Sequence, residues 1–132
     1  MTKRFQIYKC EFCETIVEIT RGGSGQLVCC GQFMKHCMES RCEAIRAEHI
    51  PVLEPVPQGL AVRVGICERH PMEQRHYVEW IEVIGEERTC RQFLSPGDTP
   101  SALFDRRGAP VMVRGYCNLH GLWRGYILMS GR

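Results

Sequence analysis

Nine cysteines and five histidines in a chain of 132 residues, many of them in close pairs, constrain the fold more than any hydrophobic pattern does. Cys10 and Cys13 form a CxxC pair, and the adjacent Cys29 and Cys30 follow it. Further on come His49, then His70 and His76 in HPMEQRH, then Cys117 and His120 in CNLH. The first set is thiolate only. Four thiolates make a closed tetrahedral site suited to iron or zinc, whereas imidazoles with one thiolate make a harder, less symmetric site that can keep a position open for a small ligand. The first set is fit to store or pass an electron, and the second to react.

Behind Lys3 and Arg4 there is no apolar run, and no stretch approaches the length that crosses a bilayer, so we expect a cytoplasmic protein with no membrane partner. In that compartment an odd cysteine count points to metal ligands and free thiols rather than to a disulfide framework. The formal charge is +2, with 17 basic residues set against 15 acidic ones. No polybasic stripe is present, which argues against nucleic acid as a partner.

Residues 1–36 alternate apolar and polar residues in short runs, as in Phe5-Gln6-Ile7-Tyr8 and Ile16-Val17-Glu18-Ile19, broken by the turn Arg21-Gly22-Gly23-Ser24-Gly25. A piece this short buries too little apolar surface to hold itself together, so a metal cross-link joining positions 10 and 13 to 29 and 30 supplies the missing stability. Residues 37–48 lack strand alternation and contain good helix formers, which predicts a linker with one or two helical turns.

From His49 to residue 132 the pattern is again that of strands. Leu60, Val62, Val64 and Ile66 share one face, and further runs are expected at Tyr77 to Ile84, Arg88 to Leu94, Pro110 to Cys117 and Leu122 to Leu128. Turns are expected at Pro55–Gly59, Ser95–Asp98 and Arg106–Gly108. About seven short strands at this spacing predict an all-β protein whose second domain, residues 49–132, is an immunoglobulin-like antiparallel β-sandwich.

The first set, Tyr8-Lys9-Cys10-Glu11-Phe12-Cys13 with Cys29-Cys30-Gly31-Gln32-Phe33-Met34, resembles the YxCxxC and CCGxxM pattern of desulforedoxin. Taken with His49-Ile50-Pro51-Val52, the strings HPMEQRHYVEWIEV and YCNLHGLW resemble superoxide reductase, and the chain as a whole is similar to the desulfoferrodoxins, the two-iron form of that family. The resemblance implies one iron held by Cys10, Cys13, Cys29 and Cys30. It implies a second held by the equatorial imidazoles of His49, His70, His76 and His120, with Cys117 axial and the opposite position open. It further implies one-electron reduction of superoxide to hydrogen peroxide, electrons from rubredoxin or a similar small donor, and a homodimer.

The chain departs from that family in one place. Superoxide reductases commonly carry glutamate then lysine directly before the first histidine, where this chain has Ala47 and Glu48. We expect Arg69 and Arg75, each directly before a ligand histidine, to restore part of the positive field that attracts superoxide, and Glu48 to reach the sixth position of the iron. Two other classes of function compete: a pure electron carrier and a zinc-stabilised interaction module. Cys37, Cys42, Cys67 and Cys90 are expected to be reduced thiols, with a Cys37–Cys42 bridge as the alternative. Trp80 and Trp123 are expected in the core or against ligand imidazoles.

Overall fold

The computed structural model describes residues 1–106 and 108–128. Arg107, in the middle of an expected turn, and the last four residues of the second domain lie outside them. The chain is all-β apart from a short helical stretch, and it divides into two compact units, Met1–Met38 and Glu39–Arg132.

In the first unit β1 (Ile7–Lys9) sits between β2 (Ile16–Glu18) and β5 (Lys35–Cys37), both antiparallel to it. Phe5 and Gln6, expected in the first strand, precede it, because Phe5 adopts a left-handed φ of 75° that breaks the extended chain. β3 (Val28–Cys29) and β4 (Gln32–Phe33) form a hairpin closed by Cys30 and Gly31. Both turn residues have positive φ, 52° and 76°, as a two-residue hairpin turn of the favoured twist requires. The buried apolar side chains here are Ile7, Cys10 and Ile19, so little but the sulfur cluster holds the unit together.

The second unit begins with a 3-10 turn at Glu43–Ile45 and one helical turn, α1 (Arg46–His49). Among the described residues eight strands follow, in two four-stranded sheets. One sheet contains β6 (Pro51–Val56), β7 (Gly59–Val64), β10 (Ser101–Phe104) and β13 (Tyr126–Ile127) in the order β10-β7-β6-β13. The other contains β8 (Val78–Gly85), β9 (Thr89–Phe93), β11 (Pro110–Cys117) and β12 (Gly121–Arg124) in the order β12-β11-β8-β9. Leu53, Leu60, Val62 and Val64 from the first sheet meet Val78, Ile81, Val83 and Val113 from the second, with Phe104 beside them. Each such side chain contributes about 1.5–3 kcal/mol on leaving water.

Three local differences from the expected pattern have physical causes. Ile66 does not extend the Leu60-Val62-Val64 face and is 39% exposed, because Gly65 at φ 107° ends β7; a Cβ there would meet the Glu68 carbonyl oxygen at 2.0 Å. The expected Pro55–Gly59 turn narrows to Pro57-Gln58, with Pro55 inside β6. Among the described residues β13 pairs with Val52 and Leu53, short of Pro55, and proline is tolerated in a strand where no partner needs its amide. The expected run Leu122 to Leu128 splits at Gly125 between the two sheets, and β13 pairs with β6 in parallel, so the sandwich is not wholly antiparallel. Gly125 is the crossing point: its amide donates to the Val113 carbonyl, and a Cβ would lie 1.7 Å from the Pro51 oxygen.

Candidate metal centres

The thiolate set is assembled by two turns. After β1, the Cys10 amide donates to Thr15 O, the Glu14 amide to Cys10 O, and the Cys13 amide approaches the Cys10 sulfur at 3.5 Å. This tight knuckle turns both CxxC sulfurs to one side. From the hairpin, extended Cys29 and left-handed Cys30 bring two successive side chains to the same place, their sulfurs 4.0 Å apart. Cys13 Sγ is 3.6 Å from Cys29 Sγ, and all four sulfurs lie within 4.8 Å of one another as free thiols. A metal with sulfur arms of about 2.3 Å gives a tetrahedron of edge about 3.8 Å, so the sulfurs already stand at the spacing an ion needs.

Their acidities divide in the same sense. The Cys13 amide lowers the Cys10 thiol. The Thr15 hydroxyl, 3.1 Å from Cys13 Sγ, leads the groups that bring Cys13 down to about 6. Cys29 is pushed up to about 12, first by its bond with the Cys10 side chain, and Cys30 is raised by its bond with Cys13. Four thiolates this close repel one another, and a cation is what allows all four to ionise.

The second set collects residues from α1, the β7–β8 loop and the turn between β11 and β12. His49 is the last residue of α1, and its Nδ1 lies 2.7 Å from the Ile45 carbonyl oxygen; His70 Nδ1 lies 2.6 Å from the Pro71 carbonyl oxygen. A carbonyl only accepts, so each Nδ1 carries the proton and each Nε2 keeps its lone pair for the interior. His76 is held by a close backbone pair with Glu73, the two amides donating to each other's carbonyls at 2.9 and 3.1 Å. Cys117 ends β11, and the turn after it closes at Gly121, φ 79°.

The four imidazoles form a closed square. Going round it, ring centroids are 4.6 Å apart for His49 and His70, 4.7 Å for His70 and His76, 5.1 Å for His76 and His120, and 4.7 Å for His120 and His49. Neighbouring rings are nearly perpendicular, at 75–84°, while the diagonal His49–His76 pair is 6.0 Å apart. Ligand atoms of His49, His70, His76 and Cys117 lie within 4.8 Å of one another, and Cys117 Sγ is 3.8 Å from His120 Nδ1. The Cys117 sulfur thus lies close to donor atoms of all four imidazoles.

The donor atoms themselves ask for an ion. His70 Nε2 and His76 Nε2 are buried without a hydrogen-bond partner. His120 Nδ1 faces His49 Nε2 at 3.0 Å, and two nitrogens on arms of about 2.1 Å set at right angles stand about 3.0 Å apart. Burial holds His70 down to about 4 and lowers His49, which keeps both imidazoles neutral and able to ligate; burial also raises the Cys117 thiol, whose proton a cation displaces. His49, His70 and Cys117 are buried and His120 is exposed, so the site opens to solvent on the His120 side.

Several neighbours could not be read from the sequence. The carbonyls of Ile45 and Pro71 orient two rings, yet every residue has a carbonyl. Trp123 stacks on His49 at 4.8 Å and 20°, while Trp80 stacks instead on Tyr116 at 5.7 Å and lies under the Arg91 guanidinium. Asn118 accepts a bond from the Tyr77 amide and donates to the Arg75 carbonyl; its polar side chain between two ligands was the available signal. Glu48 Oε1 is 3.9 Å from His49 Nδ1, the ring nitrogen turned away from the cluster. Arg69 and Arg75 are exposed. His36 stacks on Tyr8 at 5.0 Å in the first unit. Cys37, Cys42, Cys67 and Cys90 are in the thiol form, outside any disulfide among the described residues.

Fold and site define a β-protein with two metal centres, one all-thiolate and one of imidazoles with a thiolate. Residues 2–37 match the family described as desulfoferrodoxin, N-terminal domain, and residues 41–126 match desulfoferrodoxin. A desulfoferrodoxin of Syntrophotalea carbinolica is 47% identical over 123 residues, covering 93% of this chain and 97% of that one. The superoxide reductase of Treponema pallidum shares the fold at a TM-score of 0.76 and 20% identity, covering 95% of this chain and 99% of that one. The one-iron superoxide reductase of Giardia intestinalis aligns with 59% of this chain and 94% of its own, at a TM-score of 0.53 and 27% identity. This chain belongs to the desulfoferrodoxin family, and its two ligand sets match the two iron centres of that family.

Proposed function

We propose that the chain reduces superoxide to hydrogen peroxide at the histidine–cysteine iron centre, taking one electron from a small donor such as rubredoxin and two protons from water for each superoxide consumed. The carrying observation is the square of four imidazoles with the Cys117 sulfur close to the donor atoms of all four. The Giardia intestinalis protein, similar to 59% of this chain, is named a superoxide reductase. His49, His70, His76, His120 and Cys117 hold the iron, which supplies the electron as it passes from ferrous to ferric. Residues 1–36 are the iron–thiolate domain, residues 37–48 the linker and residues 49–132 the catalytic domain, with Cys10, Cys13, Cys29 and Cys30 holding the electron-storing iron.

The protein's own groups set how the anion arrives. His120 opens the site to solvent, so water is at hand to donate protons. Arg69 and Arg75, exposed beside ligand histidines, draw the anion in, while Glu48, beside His49, opposes it. Were the Glu48 side chain to swing away from His49 Nδ1, its carboxylate would be the group to close the iron site. Phe12, Val28 and Phe33 of the first unit are 61–73% exposed, an apolar set that supports a homodimer.

Rapid mixing of reduced protein with superoxide, followed on the sulfur-to-iron absorption band, tests the reading. Second-order oxidation of the second centre with one peroxide formed per superoxide is expected; a centre that stays ferrous overturns it. In the same traces at low ionic strength, Arg69→Ala and Arg75→Ala slow capture by about 2- to 10-fold and Glu48→Gln speeds it, differences that salt removes. Unchanged rates would take these side chains out of the account. A ferric spectrum of Glu48→Gln identical to that of the parent at every pH would exclude ligation by Glu48.

A further inference from the structure

Asn118 sits between two members of the second cluster, Cys117 and His120, and is half-buried. β11 and β8 run antiparallel as far as Cys117 and Val78, with a register shift between Tyr116 and Cys117. One step beyond, the Asn118 amide donates to the Tyr77 carbonyl at 3.1 Å. A regular ladder would return the bond from the Tyr77 amide to the Asn118 carbonyl. Here the main chain turns away at 118, and the Tyr77 amide donates instead to Asn118 Oδ1 at 2.9 Å. The side chain therefore completes the ladder where the backbone has left it. Its other half reaches further, with Nδ2 donating to the Arg75 carbonyl at 3.0 Å.

These bonds fall on the residues either side of His76. The His76 backbone is already closed on Glu73, so the short loop moves as one piece, and Asn118 is a tie between it and the turn carrying Cys117 and His120. We propose that Asn118 is a positioning residue that locks the loop of His76 to the loop of Cys117 and His120, fixing three donor atoms of the second iron relative to one another. The inference rests on those residues being the ligands of that iron. Both functions of the amide are used: Oδ1 only accepts and Nδ2 only donates. Alanine loses both bonds. Aspartate keeps the acceptor for Tyr77 but turns a second oxygen toward the Arg75 carbonyl.

Iron-loaded full-length Asn118→Ala and Asn118→Asp are challenged with a ferrous chelator, and loss of iron from each centre is followed on its own sulfur-to-iron band. Loosening groups that orient ligands costs about 10- to 100-fold in metal affinity; we expect iron loss from the second centre to accelerate by that order in alanine and less in aspartate. The second centre's band shifts in both variants while the first centre's band and rate stay unchanged. The metal-free variants melt close to metal-free parent, and the rise in melting temperature on adding iron shrinks. If alanine does not fold, aspartate decides by the same criteria. Iron loss and band position equal to the parent, or a lower metal-free melting temperature with an undiminished iron increment, would overturn the proposal. A parent chain that holds no iron at the second centre would overturn the functional reading instead.

Discussion

His49 and His70 show what a ligand needs besides its own nitrogen. Each ring is nine-tenths or more buried, each gives its Nδ1 proton to a carbonyl, and each turns Nε2 inward. Burial makes them poor bases, and the consequence for stability has a definite sign. Between about 6.5, where an unfolded histidine titrates, and about 4, where folded His70 does, the unfolded chain takes up a proton that the folded one refuses. Stability of metal-free protein therefore rises with pH across that window and falls as the solution is acidified through it. Urea titrations of metal-free protein at pH 7, 5.5 and 4.5 should give midpoints in that descending order, and His70→Gln should flatten the trend. Equal midpoints in the parent would contradict it. The residues of the two clusters were legible in the sequence because cysteine and histidine at loop spacings have few other uses. The Ile45 and Pro71 carbonyls were not, since main-chain acceptors leave no mark in a sequence, and the Trp123 stack on His49 depends on β12 passing beneath α1.

At the level of elements, the long runs were legible and the junctions were not. Pro110–Cys117 is a strand with the expected limits, and Val78–Gly85 lies one residue from its expected range. The run from Leu122 reads as one strand because apolar residues continue past Gly125, and nothing local says that the chain changes sheets there. The reason lies 74 positions earlier, at Pro51, whose backbone comes so close that only glycine fits. The same crossing places Trp123 on one side and Tyr126 on the other, where Tyr126 lies against the Arg46 guanidinium of α1. Gly125→Ala should cost about 3 kcal/mol or more, because backbone rather than a side-chain tip must yield. Chemical denaturation of the metal-loaded variant measures this, and a loss under about 0.5 kcal/mol, the scale of an ordinary surface change, would contradict it. At the centre of the second sheet Glu82 is fully buried between Arg114 and Arg91, its carboxylate bonded to both. The alternation of β8 marked position 82 as inward or outward, but only the register with β9 and β11 shows the two arginines that make its burial tolerable.

The two units differ in what holds them together. Glu39–Arg132 has a two-layer apolar core that needs no ion. Met1–Met38 has Ile7, Ile19 and a sulfur cluster, which is below the size at which an apolar core suffices. Stripping both irons with a chelator in mild acid should thus unfold the first unit and leave the second folded. Amide exchange should become fast across Ile7–Lys9 and Lys35–Cys37 while Ile81 and Val113 stay protected, and restoring ferrous iron should reverse it. Protection of β1 and β5 in metal-free protein would contradict this. The all-β class was readable from the short alternating runs and the turn residues between them. The parallel β13–β6 pairing was not, because it is a relation between segments distant in sequence. No helix among the described residues is long and apolar enough to cross a membrane.

The central claim is that five side chains converge on one iron. A crystal structure of iron-loaded protein with anomalous data at the iron edge tests it directly. We predict iron within bonding distance of His49 Nε2, His70 Nε2, His76 Nε2, His120 Nδ1 and Cys117 Sγ, with a second peak among the sulfurs of Cys10, Cys13, Cys29 and Cys30. An anomalous peak among the four sulfurs but none inside the imidazole square, or a Cys117 sulfur turned out of bonding range of the iron, would contradict the account.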